Sequence, residues 1–139
     1  MREVVMDARN VLLVDSAFEG GLSLLLLVGV GAGWLSGADF ARPATTGVLV
    51  GVAVCLAALA LILALLARRP SPGRGAVLAL ALVNDATACV ALLWLLAATG
   101  FSSVGVALVT VTVLGLFALS TLQLRQVIRG RRTTSRPGH

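Results

Sequence analysis

The sequence has few charged residues and lacks most of the side chains on which catalytic sites depend. Of its 139 residues, 12% are charged and 58% are hydrophobic, whereas about a quarter of the residues in a soluble domain are charged. There is no Tyr, and the single histidine is His139. No nucleophile has a base beside it, and no phosphate-binding motif occurs. We therefore predict a membrane protein that is not an enzyme and has no cofactor.

Cysteine is scarce as well. Cys55 and Cys89 both lie inside apolar runs, so the chain has no disulfide framework and no zinc-binding spacing. Two thiols alone cannot complete a tetrahedral metal site. We predict no metal site and expect both thiols to be small buried side chains at a similar depth in the membrane.

Lysine is absent, and all 11 basic residues are Arg. Together with the abundance of Ala, Gly, Val and Leu, this usage is typical of a GC-rich genome and favours a bacterial cytoplasmic membrane. The formal net charge is +5, but the arginines sit at the edges of apolar runs and no nucleic-acid-binding motif accompanies them. Nucleic acid is therefore excluded as a partner, and the lipid bilayer is the expected one.

The chain contains four apolar runs, each long enough to cross a bilayer, which needs about 20 helical residues. Gly, Pro, Ser and Arg occupy the short segments between them. We predict an all-α membrane protein with four transmembrane helices in an antiparallel up-down bundle. The predicted spans are 11–35, 45–67, 75–100 and 103–124, preceded by a cytoplasmic N-terminus over 1–10 and followed by a basic cytoplasmic tail over 125–139.

A cleavable signal peptide is the alternative for the first span, because Ser36-Gly37-Ala38 resembles a small-residue cleavage site. The segment before the apolar stretch would then carry acidic residues, and the stretch itself exceeds the usual length. A retained first span fits these features better.

The arginines are distributed unevenly between the two predicted sides. Ten of the eleven lie in the N-terminus, the second loop and the tail, whereas Arg42 stands alone on the other side. Short loops rich in Arg and Lys stay in the cytoplasm. We therefore predict that both termini are cytoplasmic, with Trp34 and Trp94 as aromatic anchors near the outer interface.

Glycines recur every four residues at the end of the first span and the start of the second. Small residues at this spacing allow close approach of helices in a bilayer. The predicted helix-packing residues are Gly29, Gly33, Gly37, Gly47 and Gly51. Packing within one chain is the simpler interpretation, and a homo-oligomer interface is the alternative.

Asp85 lies near the middle of the third apolar run, where a carboxylate costs roughly 2.5 to 3.5 kcal/mol on insertion scales. Counting inward from the outer ends places Glu19 at the same level, about 22 to 24 Å deep. Asp15 lies one turn from Glu19 on the same helix face, although Arg9 or Arg125 could pair with it at the interface. The predicted intramembrane polar layer comprises Glu19, Asp85, Asn84, Asp15, Ser120, Thr121 and Gln123.

Two functions are compatible with such a layer. Hydrogen bonds among its members could specify which helices pair, in a structural protein or a small partner subunit of another membrane protein. Alternatively, Glu19 and Asp85 could serve a proton-coupled small carrier or a lipophilic-ligand binder, since intramembrane acids mark such pathways. The absence of a polar stripe leading outward from Asp85 favours the structural interpretation.

The order of the motifs resembles that of small uncharacterised bacterial four-helix integral membrane proteins. In that group, a first span similar to Asn-Ala-x-Phe-Ser-x-x-Ser-Gly is followed by an Asp within the third. Residues 15–21 here read Asp-Ser-Ala-Phe-Glu-Gly-Gly, and Asn84-Asp85 lies in the third span. Glu19 stands where the pattern has Ser. The resemblance covers the four-span architecture and implies a fold but no activity.

The arginine distribution makes a prediction about topology. A reporter that is active only in the cytoplasm should be active when fused after His139, because the arginine-rich tail stays on that side. The measurement is reporter activity in intact cells. Activity of a reporter that works only outside the cell, fused at the same place, would contradict the predicted orientation.

Overall fold

The computed structural model describes residues 8–70 and 73–134, and it is helical with short connections. The predicted cytoplasmic N-terminus falls outside these residues up to position 7, as do the last five residues of the predicted tail. The helices are α1, Ala8–Gly31; α2, Thr46–Ala67; α3, Arg74–Ala97; and α4, Ser103–Thr134. A short 3-10 turn, Gly37–Asp39, lies between α1 and α2.

Within the described ranges, four helices are long and apolar enough to cross a membrane, the fourth over Ser103–Ile128. Their order and number agree with the sequence prediction, and their ends differ. The first helix begins three residues earlier than predicted and ends four residues earlier, at Gly31. The fourth continues to Thr134, into the segment predicted as a tail.

The early end of α1 has a local cause. Gly33 has φ +77°, and the amides of Gly33 and Trp34 donate to the carbonyls of Val30 and Gly29. This is the paired hydrogen-bond pattern with which a left-handed glycine closes a helix. Gly33 therefore lies beyond the helix and cannot belong to a helix-packing row.

The other predicted packing glycines also have different surroundings. A Cβ at Gly29 would meet the Leu35 side chain at 2.5 Å, and one at Gly37 would meet Thr45 Cα at 2.6 Å. Both contacts are within the turn that follows α1. A Cβ at Gly47 would lie 3.9 Å from Thr45 Oγ1, and Gly51 is exposed with nothing within 4 Å. Within the chain these glycines serve the α1–α2 turn or lie on an open surface, so they do not pack one span against another. A homo-oligomer interface stays a prediction.

Hydroxyl groups and alanines form the contact between α1 and α2. The Ser16 and Ser23 hydroxyls donate to the backbone carbonyls of Ala60 and Ala53 at 2.8 and 2.7 Å. Between them, a Cβ at Gly20 would lie 3.7 Å from the Ala60 Cβ. Small side chains on both helices let a serine reach a carbonyl on the neighbouring helix, which is a common way to join helices without a hydrophobic driving force.

The start of α4 is anchored to the turn after α1. The Ser102 amide and hydroxyl both donate to the Asp39 carbonyl, and the same hydroxyl accepts from the Gly105 amide. Gly105 faces Asp39 so closely that a Cβ would overlap its carbonyl oxygen. At the opposite end of α4, the Arg74 side chain at the start of α3 donates to the Val127 carbonyl.

The helices associate as two pairs, α1 with α2 and α3 with α4, and α1 with α4 joins the pairs. Among the described residues, no Cα of α2 lies within 8 Å of a Cα of α3. Two apolar clusters bridge the pairs at opposite ends. One contains Leu12, Leu63 and Ala67 with Leu80 against them, and the other contains Phe40, Leu49, Val109 and Val113. Between these clusters, α2 and α3 are separated.

We predict that Gly105→Ala destabilises the bundle by about 1 to 3 kcal/mol, because the added methyl meets a backbone carbonyl that cannot move alone. The measurement is the free energy of unfolding of the full chain in SDS-containing mixed micelles. Gly51→Ala is the matched control, since its methyl enters open space. It should change stability by less than about 1 kcal/mol, in the stabilising direction. Equal effects of the two substitutions would contradict the close contact at Gly105.

Candidate functional site

A hydrogen-bond network joins three helices around one buried carboxylate. Asp15 on α1 is fully buried. Its Oδ2 accepts from Gln123 Nε2 on α4 at 2.6 Å and from Asn84 Nδ2 on α3 at 3.2 Å. The Asn84 amide is also 3.5 Å from Gln123 Oε1. We call these three residues the Asp15 network, and all three side chains are at most 2% exposed.

This geometry corrects the sequence interpretation of Asp15. We expected an interfacial residue paired with Arg9 or Arg125, but the carboxylate lies in the interior and both arginines are exposed. Amide donors replace the expected cation. A buried carboxylate needs hydrogen bonds to offset the loss of water, and two amides from other helices provide them.

Asp85 does not join the network. It is partly exposed and makes no hydrogen bond within the described part of the chain. Neighbouring helix residues point about 100° apart, so the α3 residue directed at Asp15 is Asn84. Spacing along the chain alone could not decide which of Asn84 and Asp85 faces inward.

Glu19 and Ser120 lie one helical turn from Asp15 and Gln123, respectively. Glu19 is 2% and Ser120 is 1% exposed. Glu19 Oε2, Ser120 Oγ and Asp15 Oδ1 are buried with no hydrogen-bond partner among the described residues. Thr121 differs, because it is exposed and its hydroxyl donates to Phe117 of its own helix. The predicted layer therefore divides into a bonded network, unpartnered buried groups and outward-facing residues.

A cavity of about 460 Å³ begins at Glu19 and extends between the helix pairs. Its volume is within the range of small-molecule sites, about 300 to 1,000 Å³. All four helices contribute to its walls, which are apolar except at a few positions. The carboxyl, amide and hydroxyl groups in the lining come from Glu19, Asn84, Thr87 and Thr112.

An apolar cluster and an aromatic cluster lie at the two ends of the bundle. Leu12 and Leu63 are fully buried in the apolar cluster near the start of α1. At the other end, Phe40 stacks on Trp94 with ring centroids 6.4 Å apart, and Trp94 meets Phe101 edge-on at 5.0 Å. The Trp94 indole also donates to the Arg42 carbonyl. Apolar and aromatic side chains therefore occupy both ends of the bundle.

Residues that line the cavity from α2 and α3 are exposed. Val52 and Val83, which line it from these two helices, are 45% and 50% exposed. Cys55 lines the same side and is exposed. In a bilayer these exposed side chains would face lipid.

The cysteines differ from their sequence prediction. Both thiols are exposed, contrary to the expectation of buried side chains, because α2 and α3 each pack closely against one neighbour only. Cys55 lines the cavity whereas Cys89 does not. Of the two expected anchors, Trp34 is 75% exposed and Trp94 lies in the aromatic cluster at one end of the bundle.

The residues that shape the cavity, apart from Glu19 and Asn84, were missed by sequence reasoning. Aliphatic and small residues such as Leu22, Val52 and Ala91 line it, and their chemistry is that of any membrane helix. Within the described part of the chain, no three His, Cys, Asp or Glu side chains group as a metal site would require.

The chain matches no protein-family model, no curated protein and no solved structure. Of the resemblance noted in the sequence, the four membrane-length helices are present, whereas the family and the bacterial source stay predictions. The function must therefore be argued from the site itself.

We predict that Gln123→Leu destabilises the bundle by about 1 to 2 kcal/mol, because the buried Asp15 carboxylate loses its shorter hydrogen bond. Unfolding in mixed micelles measures the change. Thr121→Val is the control and should be nearly neutral, since that hydroxyl bonds only within α4. In a double-mutant cycle with Asp15→Leu, the double variant should lose less unfolding free energy than the sum of the losses in the two single variants. Strict additivity would show that the two side chains are not coupled.

Proposed function

We propose that this chain is a multi-pass integral membrane protein that binds a lipophilic ligand inside its helical bundle. The membrane assignment is supported by four apolar helices of spanning length within the described residues. The binding function is supported by the cavity that begins at Glu19. It corresponds to one of the two functions that the sequence allowed, with Glu19 rather than Asp85 as the acid in the site.

We also propose an antiparallel up-down bundle with both termini in the cytoplasm of a bacterial cell. Support for the antiparallel order comes from residue pairs on neighbouring helices. Ser16 meets Ala60 while Ser23 meets Ala53, and Arg74 meets Val127. The uneven arginine distribution supports the orientation, and the composition supports the bacterial membrane.

The single observation that carries the binding function is that the cavity has exposed lining residues on α2 and α3, two helices with no Cα atoms within 8 Å of each other among the described residues. A ligand from the aqueous phase would have to separate the apolar cluster at Leu12 and Leu63 or the aromatic cluster at Trp94. A molecule dissolved in the lipid would reach the cavity between α2 and α3 without disturbing either cluster. The ligand is therefore expected to be lipophilic and to partition into the bilayer.

A structural protein or small partner subunit is the second candidate, and the Asp15 network favours it. Hydrogen bonds among Asp15, Asn84 and Gln123 specify how the two helix pairs meet, which a purely structural role would require. This role gives no reason for a cavity of about 460 Å³ at Glu19. A membrane-protein partner or a second copy of the chain stays a prediction.

Labelling of the two cysteines tests the binding function. The full chain in lipid nanodiscs is treated with N-ethylmaleimide, and mass spectrometry follows each thiol separately. N-phenyl-1-naphthylamine, a neutral lipophilic probe, is added at a concentration about ten times its Kd, so that roughly a tenth of the cavities stay free. Cys55 labelling should then slow about tenfold. Cys89 is the internal control and should react at an unchanged rate.

A pair of alanine variants sharpens this test. Ala91 lines the cavity whereas Ala86, on the same helix, is exposed outside it. Ala91→Phe should abolish the protection of Cys55 by filling the space, and Ala86→Phe should leave it intact. Equal protection of both cysteines, or protection that survives Ala91→Phe, would count against a ligand in the cavity.

A further inference from the structure

The carboxyl group of Glu19 has no partner among the residues that the structure describes. It makes no hydrogen bond among the described residues, and its Oε2 is buried. The side chain is only 2% exposed, and it lines the cavity. A buried acid in such a position needs a hydrogen-bond donor or a counter-charge.

Most polar groups around Glu19 are already used, and the Ser120 hydroxyl makes no hydrogen bond to it among the described residues. The Gln123 and Asn84 amides, which are the donors nearest in the layer, both point to Asp15 Oδ2. The Ser16 and Ser23 hydroxyls, on either side of Glu19 along α1, donate to carbonyls of α2. These groups therefore leave Glu19 without the donor that Asp15 receives.

Among the described residues, no cation forms an ion pair with Glu19 either. Arg9, Arg74 and Arg125 are exposed near the ends of their helices, and none forms an ion pair with Glu19 within the described residues. The other titratable groups near the site add no positive charge. Asp15 is itself acidic, Cys55 and Cys89 are thiols, and Asp85 lies outside the cavity lining.

We propose that the cavity selects a membrane-dissolved lipophilic molecule that carries one basic nitrogen, whose ammonium group binds the Glu19 carboxylate. The apolar walls would hold the body of the ligand, and the ammonium would donate a charge-assisted hydrogen bond. Thr87 and Thr112 in the lining offer hydroxyl oxygens to the remaining N–H groups. This inference rests on the proposed function and specifies the ligand class of the same site.

The test compares three probes with the same naphthalene body, namely 1-naphthylmethylamine, 1-naphthylmethanol and 1-ethylnaphthalene. At neutral pH the first is cationic, the second is a neutral hydrogen-bond donor and the third has no polar group. Protection of Cys55 from N-ethylmaleimide, followed as a function of probe concentration in zwitterionic nanodiscs, gives a Kd for each. Wild-type protein should bind the amine most tightly.

Glu19→Gln is expected to weaken amine binding by about ten- to a hundredfold, the usual contribution of a hydrogen bond to a charged group. Its affinity for 1-ethylnaphthalene should be unchanged, which also shows that the cavity is intact. Glu19→Asp retains the charge and should recover part of the amine affinity. Asp85→Asn is the matched control on α3 and should leave all three Kd values unchanged.

The outcomes separate the two proposals. If no probe protects Cys55 in the wild-type protein, the binding function itself is wrong. If the probes protect Cys55 but Glu19→Gln does not weaken the amine selectively, the cavity binds lipophilic molecules without recognising a cation, and this inference is overturned. If Glu19→Gln abolishes the binding of all three probes, Glu19 is needed for the structure of the bundle, and the inference of amine recognition is overturned as well.

Discussion

The structure depends on keeping the Asp15 carboxylate buried. Apolar side chains gain nothing from leaving lipid for a protein interior, so helices in a bilayer associate through close packing and hydrogen bonds. Asp15 on α1 can stay in the interior only where amides replace water. Gln123 and Asn84 lie on α4 and α3, so this requirement holds the second helix pair against the first at one defined level.

The same interaction accounts for the character of the site. Because the Asn84 and Gln123 amides bond to Asp15, they do not serve Glu19 one turn away, which is left facing the cavity. Contact between the pairs through α1 and α4 leaves α2 and α3 apart, and residues that line the cavity from these two helices are exposed. The acid that accepts two amide hydrogen bonds thus holds the bundle together, and the acid one turn away lines the cavity.

The four helices could be predicted because membrane spans are encoded in contiguous hydrophobicity. Their ends were less accurate, since the end of α1 depends on the conformation of Gly33 and not on its polarity. The glycine spacing was misleading for a related reason. Gly29 and Gly37 accommodate Leu35 and Thr45 in the turn after the helix, although the glycines follow one another in the sequence at the spacing of an interhelical row.

The sequence by itself determined the number of apolar helices, the scarcity of catalytic chemistry and the level at which polar residues accumulate, because these follow from composition and position along the chain. Only the tertiary structure decided that Asn84 rather than Asp85 meets Asp15, that Glu19 is left unpartnered, and that a cavity lies between the helix pairs. Those features depend on the rotation of each helix about its axis and on which helices touch. Hydrophobic runs that are apolar on every side do not encode either.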